Sequence, residues 1–535
     1  MATISTADHS VSPPMIDIPR QYNAAYDLIQ RNLQAGRGDK VAFIDDQGEY
    51  SYADLDRRSS RVANALKTLG VAREQRILLC IHDTIDFPAV FLGAIKAGIV
   101  PIAVNTLLTA KDYAYMLQDS RAKAVVVSAP LLATFESLLD TVETLEHIIV
   151  AGAPSDQADS LAAITANESD SCDIADTVAD EPCFWLYSSG STGAPKGTVH
   201  IHSSMILTAE LYARPTLGID ENDVVFSAAK LFFAYGLGNG LSFPMSVGAT
   251  TVLMAERPTP ASVSERLRKY QPTIFYGVPT LYAAMLSSDE LPRADEVNLR
   301  LCASAGEALP AELNKRWKSQ FDVEIYDGIG STEMLHIFLS NSPKELRYGT
   351  TGKPVPGYQV RLVDDDGNPI TEPNETGELQ INGPTAATGY WGNRLKTRHT
   401  FLGEWTRSGD KYSMDEDGFY IYAGRSDDML KVSGIYVSPI EVESTLIVHE
   451  AVLEAAVIGK EDKDKLTKPA AFIILKPGYE GGEKMAATLK EHVKSSLAPY
   501  KYPRWFHFVD ELPKTATGKI QRFKLREQEK VSDFQ

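Results

Sequence analysis

Between Tyr187 and Gly197 the chain reads YSSGSTGAPKG, with three glycines, three serines, a threonine and a lysine directly after the apolar run Phe184-Trp185-Leu186. Glycines leave backbone N–H groups unobstructed, hydroxyls add donors, and Lys196 adds a point charge. Such a loop is a nest for phosphate oxygens. It is not a Walker A loop, because Pro195 precedes the lysine and Gly197 follows it. The kinase pattern GxGxxGxV is also absent. A flexible surface turn is the plain alternative, and the order of residues behind an apolar strand speaks against it. A second chemical segment runs from Val493 to Arg526, where eight basic residues stand against Asp510 and Glu511, a net +6. It reads as a local anion site or as an exposed basic face. A third, Leu231–Gly240 (LFFAYGLGNG), gathers aromatic and small residues. These could form a flat slot for a ring entering edge-on, or plain core. His200 and His202 have no evident metal partner.

The elements that must position these groups follow from pattern. A chain of 535 residues exceeds one ordinary core, so two or more domains are expected. Short β-branched runs (RILLCI, AKAVVVS, EHIIVAG, DVVFSA, ATTVLM, TIFYGV) alternate with helical patterns such as DFPAVFLGAIKAG and ASVSERLRKYQ. That alternation predicts α/β layers with largely parallel strands. From Thr351 to Tyr422 short strands with turn residues predict a β subdomain. Beyond Asp427, EAAVIGKED and KPAAFIILKPG read as strands and EKMAATLKEHVKSSLA as a helix, which predicts a small α+β domain. The expected division is 1–426 for a large domain and 427–535 for a small one. The N-terminus, MATISTADHSVSPPM, has no secretory pattern and reads as a loose tail. The longest apolar runs are too short for a transmembrane helix. Four scattered cysteines without CxxC spacing argue against a disulfide framework or zinc site and fit a reducing cytoplasm. A net charge of −18 argues against a nucleic-acid backbone as partner.

The glycine loop resembles the phosphate loop of the AMP-forming adenylating enzymes, a family of acyl- and aryl-CoA ligases, luciferases and peptide-synthetase adenylation domains. The likeness continues in order through YDGIGSTE (Tyr326–Glu333), GELQINGPTAATGYW (Gly377–Trp391), TRSGDKY (Thr406–Tyr412), GRSDDMLKVSGIYVSPIEVE (Gly424–Glu443) and PKTATGKIQR (Pro513–Arg522). Within the family, the stretches around Leu231 and Ser188 look most like benzoate-CoA ligases. The resemblance implies two half-reactions. A carboxylate attacks the α-phosphate of ATP to give acyl-AMP and pyrophosphate, and CoA thiolate then displaces AMP. An anion meeting a polyanion calls for Mg²⁺ and fixed positive charge.

By that resemblance, Ser188, Ser189, Gly190, Ser191, Thr192, Gly193 and Lys196 hold the β- and γ-phosphates. Thr332 meets the α-phosphate and Glu333 ligates Mg²⁺. Asp410 takes the ribose hydroxyls, with Arg425 beside ribose or phosphate. Ser304, Ala305, Gly306 and Glu307 line the adenine, together with Tyr326, Asp327 and Gly328. Tyr326 is read as a stacking partner for the adenine, with a core tyrosine the alternative. Lys519 reaches between carboxylate and α-phosphate. Lys431 faces the site after the small domain rotates about Asp427, and Gly434 borders the pantetheine tunnel. Ala234, Tyr235, Gly330, His336 and Ile337 match the aryl-acid pocket; His336 would polarise a substrate oxygen or close the pocket. TATGK is rich in glycine and threonine, so Lys519 is open to an acetyltransferase and its deacetylase, and acetylation would remove its charge.

Other readings remain at this stage. One is a ligase for hydroxybenzoate, halobenzoate, furoate or a medium-chain acid. Another is a carrier-loading adenylation enzyme, disfavoured because no Asp that would grip an α-amino group stands at Ala234 or Tyr235. A third is a nucleotide binder without catalysis, disfavoured by Lys519 and Glu333. The sequence leaves monomer and oligomer open.

Overall fold

A computed structural model of the chain describes residues 3–138, 141–152, 159–190, 193–426, 428–432, 435–462, 466–497, 501–514 and 520–532. Two compact units emerge: residues 1–360 with 381–407, and residues 361–380 with 408–535. The second takes in part of the expected β subdomain as well as the C-terminal segment.

In the first unit one sheet runs, in spatial order, Gly389–Tyr390, Gly193–Ile201, Pro182–Gly190, Val100–Ala103, Arg76–Cys80, Ala124–Ser128, His147–Ala151 and Asp159–Ser160. Its central strands are parallel. They are almost wholly buried, which is why they read as continuous β-branched runs rather than alternating ones. A second sheet has the parallel strands Ile325–Gly330, Leu301–Ser304, Ile274–Gly277, Val224–Ser227 and Thr250–Val252 at its centre. Ile337–Ser340 closes antiparallel on its flank. Helices Tyr52–Thr68 and Asp86–Lys96 fill the layers; the first starts from a Ser51–Asp54 capping box. The segments carrying Ser304, Ser331–Glu333 and Ala228–Ala234 all follow the carboxyl ends of parallel strands, where open α/β sheets bind ligands.

In the second unit, residues 408–414 of strand Trp405–Met414 pair antiparallel with strand Tyr420–Arg425, from Asp410↔Arg425 to Met414↔Tyr420. Strands Val452–Glu461, Thr467–Leu475 and Trp505–Phe508 form a sheet against helices Pro439–Val448 and Glu483–Ser496.

Two expectations are corrected. The N-terminus is not a loose tail: Thr6–Asp8 and Met15–Asp17 form a hairpin. It is fastened by Ser5, whose N and Oγ donate to the buried Asp27 carboxylate at 3.2 and 2.6 Å. The glycine stretch is less loop than hairpin: Tyr187 pairs with Gly197 and Ser188 with Lys196, and the strands run to Gly190 and from Gly193. Tyr187 and the alternating Thr198–Val199–His200 favour strand, and that preference carries through the glycines. No described helix is long and apolar enough to cross a membrane.

Candidate active site

The glycine hairpin and the STE turn meet at a carboxylate. Ser188 Oγ donates to Glu333 Oε1 at 3.2 Å, and the Tyr390 hydroxyl donates to the same oxygen at 2.7 Å. Lys196 Nζ lies 3.4 Å from the Tyr390 hydroxyl and 4.4 Å above its ring centroid. Behind them, His200 Nε2 donates to the Thr332 carbonyl at 2.8 Å. Burial lowers the His200 pKa to about 4, so the ring is neutral and stacks on Phe184. Ser188, Lys196, Thr332 and Glu333, expected together, are therefore joined through Tyr390 and His200. Neither linker stands out in the sequence: Tyr390 lies inside GELQINGPTAATGYW, and His200 lies near the end of strand Gly193–Ile201 among residues 197–200, all of them buried. Ser191 and Thr192 lie outside the described residues, as do the side chains of Ser189, Gly190 and Gly193.

In the segment expected to line the adenine, Ser304 and Ala305 are buried and Gly306 is exposed at φ +94°, with nothing within 4 Å of where a Cβ would stand. Glu307 and Tyr326 are half-buried and Gly328 is buried. Burial pushes the Asp327 carboxyl well above the usual carboxylate range.

The residues matched to the aryl pocket come together around His336. Its Nε2 donates to the Tyr235 carbonyl at 3.2 Å, and Tyr235, Phe243 and Tyr212 place their rings 5.5, 4.4 and 5.6 Å from it. Burial lowers the His336 pKa to about 3, so Nδ1 presents a lone pair. His336 is aimed by a γ-turn: Leu335 has φ +67° and ψ −45°, and His336 N donates to the Met334 carbonyl at 2.9 Å. This turn is rare and strained, and such strain gathers at functional sites. Gly330 and Ile337 face each other across the strands. Ala234 opens the short helix Ala234–Leu237. The Tyr235 hydroxyl and the Asn239 amide are buried against each other, and the Tyr276 hydroxyl is buried without a hydrogen-bond partner among the described residues. The slot thus carries more polar groups than LFFAYG suggests. Asn239 and Tyr212 sit on π-helical stretches, Gly238–Ser242 and Ala209–Leu217, of a kind frequent at functional sites.

In the second unit, Arg425 Nη1 donates to Asp410 Oδ1 at 3.0 Å. A Cβ on Gly409 would lie 2.9 Å from that guanidinium at φ +75°, so glycine is required there. The basic segment is not a pool of unspent charge: Lys494, Lys501, Lys514, Arg522 and Arg526 pair with Glu491, Glu441, Glu454, Glu443 and Asp428. Asp427, Gly434, Lys519 and the side chain of Lys431 lie outside the described residues.

Residues 29–391 match the AMP-binding enzyme family, and residues 441–519 match the AMP-binding enzyme C-terminal domain. A benzoate-CoA ligase of Thauera aromatica is 66% identical over 98% of this chain and 100% of its own. A 4-hydroxybenzoate-CoA/benzoate-CoA ligase of Rhodopseudomonas palustris is 51% identical over 95% of this chain and 94% of its own. Among solved structures, a benzoate CoA ligase from Burkholderia xenovorans LB400 superposes with TM-score 0.88 at 54% identity, covering 94% of this chain and 100% of the other.

Proposed function

The chain belongs to the AMP-binding enzyme family, and from that premise we propose that it is an ATP-dependent benzoate-CoA ligase. It forms benzoyl-AMP with release of pyrophosphate, then benzoyl-CoA with release of AMP. The observation that carries this is the likeness to the Thauera aromatica enzyme along both full lengths. The aromatic wall of Tyr235, Phe243, Tyr212 and a neutral His336 agrees with it.

We assign Ser188, Lys196 and the rest of the hairpin tip to the β- and γ-phosphates. Thr332 takes the α-phosphate, its carbonyl held by His200. Asp410 accepts the ribose hydroxyls, set in place by Arg425. Glu333 is the residue that would hold Mg²⁺: its carboxylate offers the oxygen ligand a hard cation takes, and one or two protein carboxylates suffice beside a nucleotide. When bound, Mg²⁺ offsets phosphate charge. Lys519 stabilises charge between carboxylate and α-phosphorus in the first half-reaction. Asp427 acts as hinge, Lys431 serves the second half-reaction and Gly434 leaves room for the thiol arm. The four cysteines are free thiols, which fits the reducing cytoplasm.

A ring hydroxyl is the one substituent with a specific observation in its favour, the buried Tyr276 hydroxyl beside the Tyr235 ring, which has no hydrogen-bond partner among the described residues. Pyrophosphate release measured across benzoate, its hydroxylated and fluorinated forms and hexanoate decides the matter. Benzoate is expected to give the highest kcat/KM. A higher value for 4-hydroxybenzoate or hexanoate would overturn the assignment.

A further inference from the structure

The hydroxyl of Tyr390 stands between the two charged groups of the nucleotide site, and its surroundings hold it there. Tyr390 lies on strand Gly389–Tyr390, paired with Thr198 two residues beyond Lys196. Its backbone N donates to Thr397 Oγ1 at 2.9 Å, and its ring packs on Phe401 at 5.6 Å. The residue is 6% exposed. A phenol has one hydrogen, and here that hydrogen goes to Glu333 Oε1 at 2.7 Å, so the oxygen accepts from Lys196. Ser188 Oγ donates to the same carboxylate oxygen. The hydrogen bonds from both strands of this site thus converge on Oε1, which fixes how the carboxylate is turned.

We propose that Tyr390 is a positioning residue for metal-linked nucleotide binding. Its hydroxyl orients the Glu333 carboxylate for a divalent cation held jointly with ATP phosphates, while its ring carries the Lys196 ammonium beside the phosphate hairpin. This inference rests on the assignment of Glu333 as the Mg²⁺ ligand. A bond from a neutral donor to a half-buried charged acceptor is among the stronger side-chain interactions, so its loss is felt where the carboxylate is used. The ring contact to Lys196 survives removal of the hydroxyl. Tyr390→Phe therefore separates the two roles.

The test is equilibrium binding of ATP to the whole chain by calorimetry, once in EDTA and once with Mg²⁺, before any acid is added. The readout is the factor by which Mg²⁺ tightens ATP. In Tyr390→Phe that factor is expected to fall about tenfold, while affinity in EDTA changes less than twofold. Ser188→Ala, which removes the other donor to the same oxygen, is expected to lower the factor in the same direction. Glu333→Gln sets the reference. If Glu333→Gln abolishes the Mg²⁺ factor and Tyr390→Phe keeps it, the positioning role is wrong and the Glu333 assignment stands. If Glu333→Gln itself keeps the factor, the assignment of the cation to Glu333 falls, and this inference with it.

Discussion

Gly330 shows how little room the acid pocket has at the scale of one atom. A Cβ there would lie 2.5 Å from the His336 carbonyl oxygen, 2.6 Å from its carbon and 2.8 Å from Ile337 N. All three are backbone, so no rotamer change relieves the clash. The strand pair shifts register at this point, between Ile329 and Gly330, so an intruding methyl would push apart the two segments that aim His336. Overpacking of this kind costs about 1–3 kcal/mol. Gly330→Ala is therefore expected to raise the KM for benzoate about tenfold, with a smaller change in the KM for ATP. Steady-state titration of each substrate checks this; equal shifts in both would show that the strain spreads beyond the pocket. The position itself was legible in the sequence through the YDGIGSTE motif, but the reason for glycine was not. A motif says which residue stands there, and the opposing carbonyl six residues on appears only once the strands are paired.

At the scale of elements, the N-terminal hairpin ties a remote segment to the pocket wall. His9 Nε2 donates to Glu210 Oε2 at 2.6 Å, and Arg31 bonds Ser5, Asp27 and Glu210 together. Asp27 is fully buried and Glu210 is 2% exposed. Glu210 lies on the same π-helical stretch as Tyr212, whose ring faces His336. Removing residues 1–17 would take the Ser5 and His9 donors from buried carboxylates that keep only Tyr22, Arg31 and Arg214 among the described residues, and each hydrogen bond lost to a buried charged group is costly. The truncated enzyme is expected to melt several degrees lower and to show a raised KM for benzoate, with the KM for ATP little changed. Thermal unfolding and the two titrations measure this; unchanged melting would deny the hairpin a structural role. This element escaped the sequence because its hold is long-range. Ser5 meets Asp27 22 residues away and His9 meets Glu210 201 residues away, while local composition shows only a polar, proline-containing stretch. The ion pairs of the basic C-terminal segment were hidden for the same reason, since a linear charge count sees one partner of each pair. The parallel strands were legible because full burial forces β-branched residues at every position, and no distant partner is needed to see that.

At the scale of the whole molecule, three buried histidines set how the large unit responds to acid. Burial lowers the pKa of His200 to about 4 and of His202 and His336 to about 3. Unfolded, each would titrate near 6.5. Between those values the unfolded chain binds protons that the native state refuses, so stability falls as pH drops below about 6.5. Asp83 acts in the opposite sense. Burial raises it to about 6, so the native state holds its proton where the unfolded chain has lost it, and acidification below pH 6 offsets part of the loss. Asp327 and Asp86, also raised by burial, act in the same sense as Asp83, so the net acid limb is a difference between groups and the histidine contribution has to be read one residue at a time. His202 gives the cleanest test. Its Nδ1 accepts from Ala24 N at 3.1 Å, at the first residue of helix Ala24–Gln34, so protonation would set a donor against a donor. One group of this kind contributes about 1.4 kcal/mol per pH unit, or about 2 kcal/mol between pH 6.5 and 5. His202→Asn places a non-titrating amide oxygen near Nδ1 and is expected to flatten the acid limb of stability against pH by about that slope, at some cost in stability at pH 8. Urea unfolding at half-unit steps from pH 8 to 5 reads it directly. A variant whose stability falls with acid as steeply as that of the parent would show that His202 does not carry the proton-linked loss assigned to it.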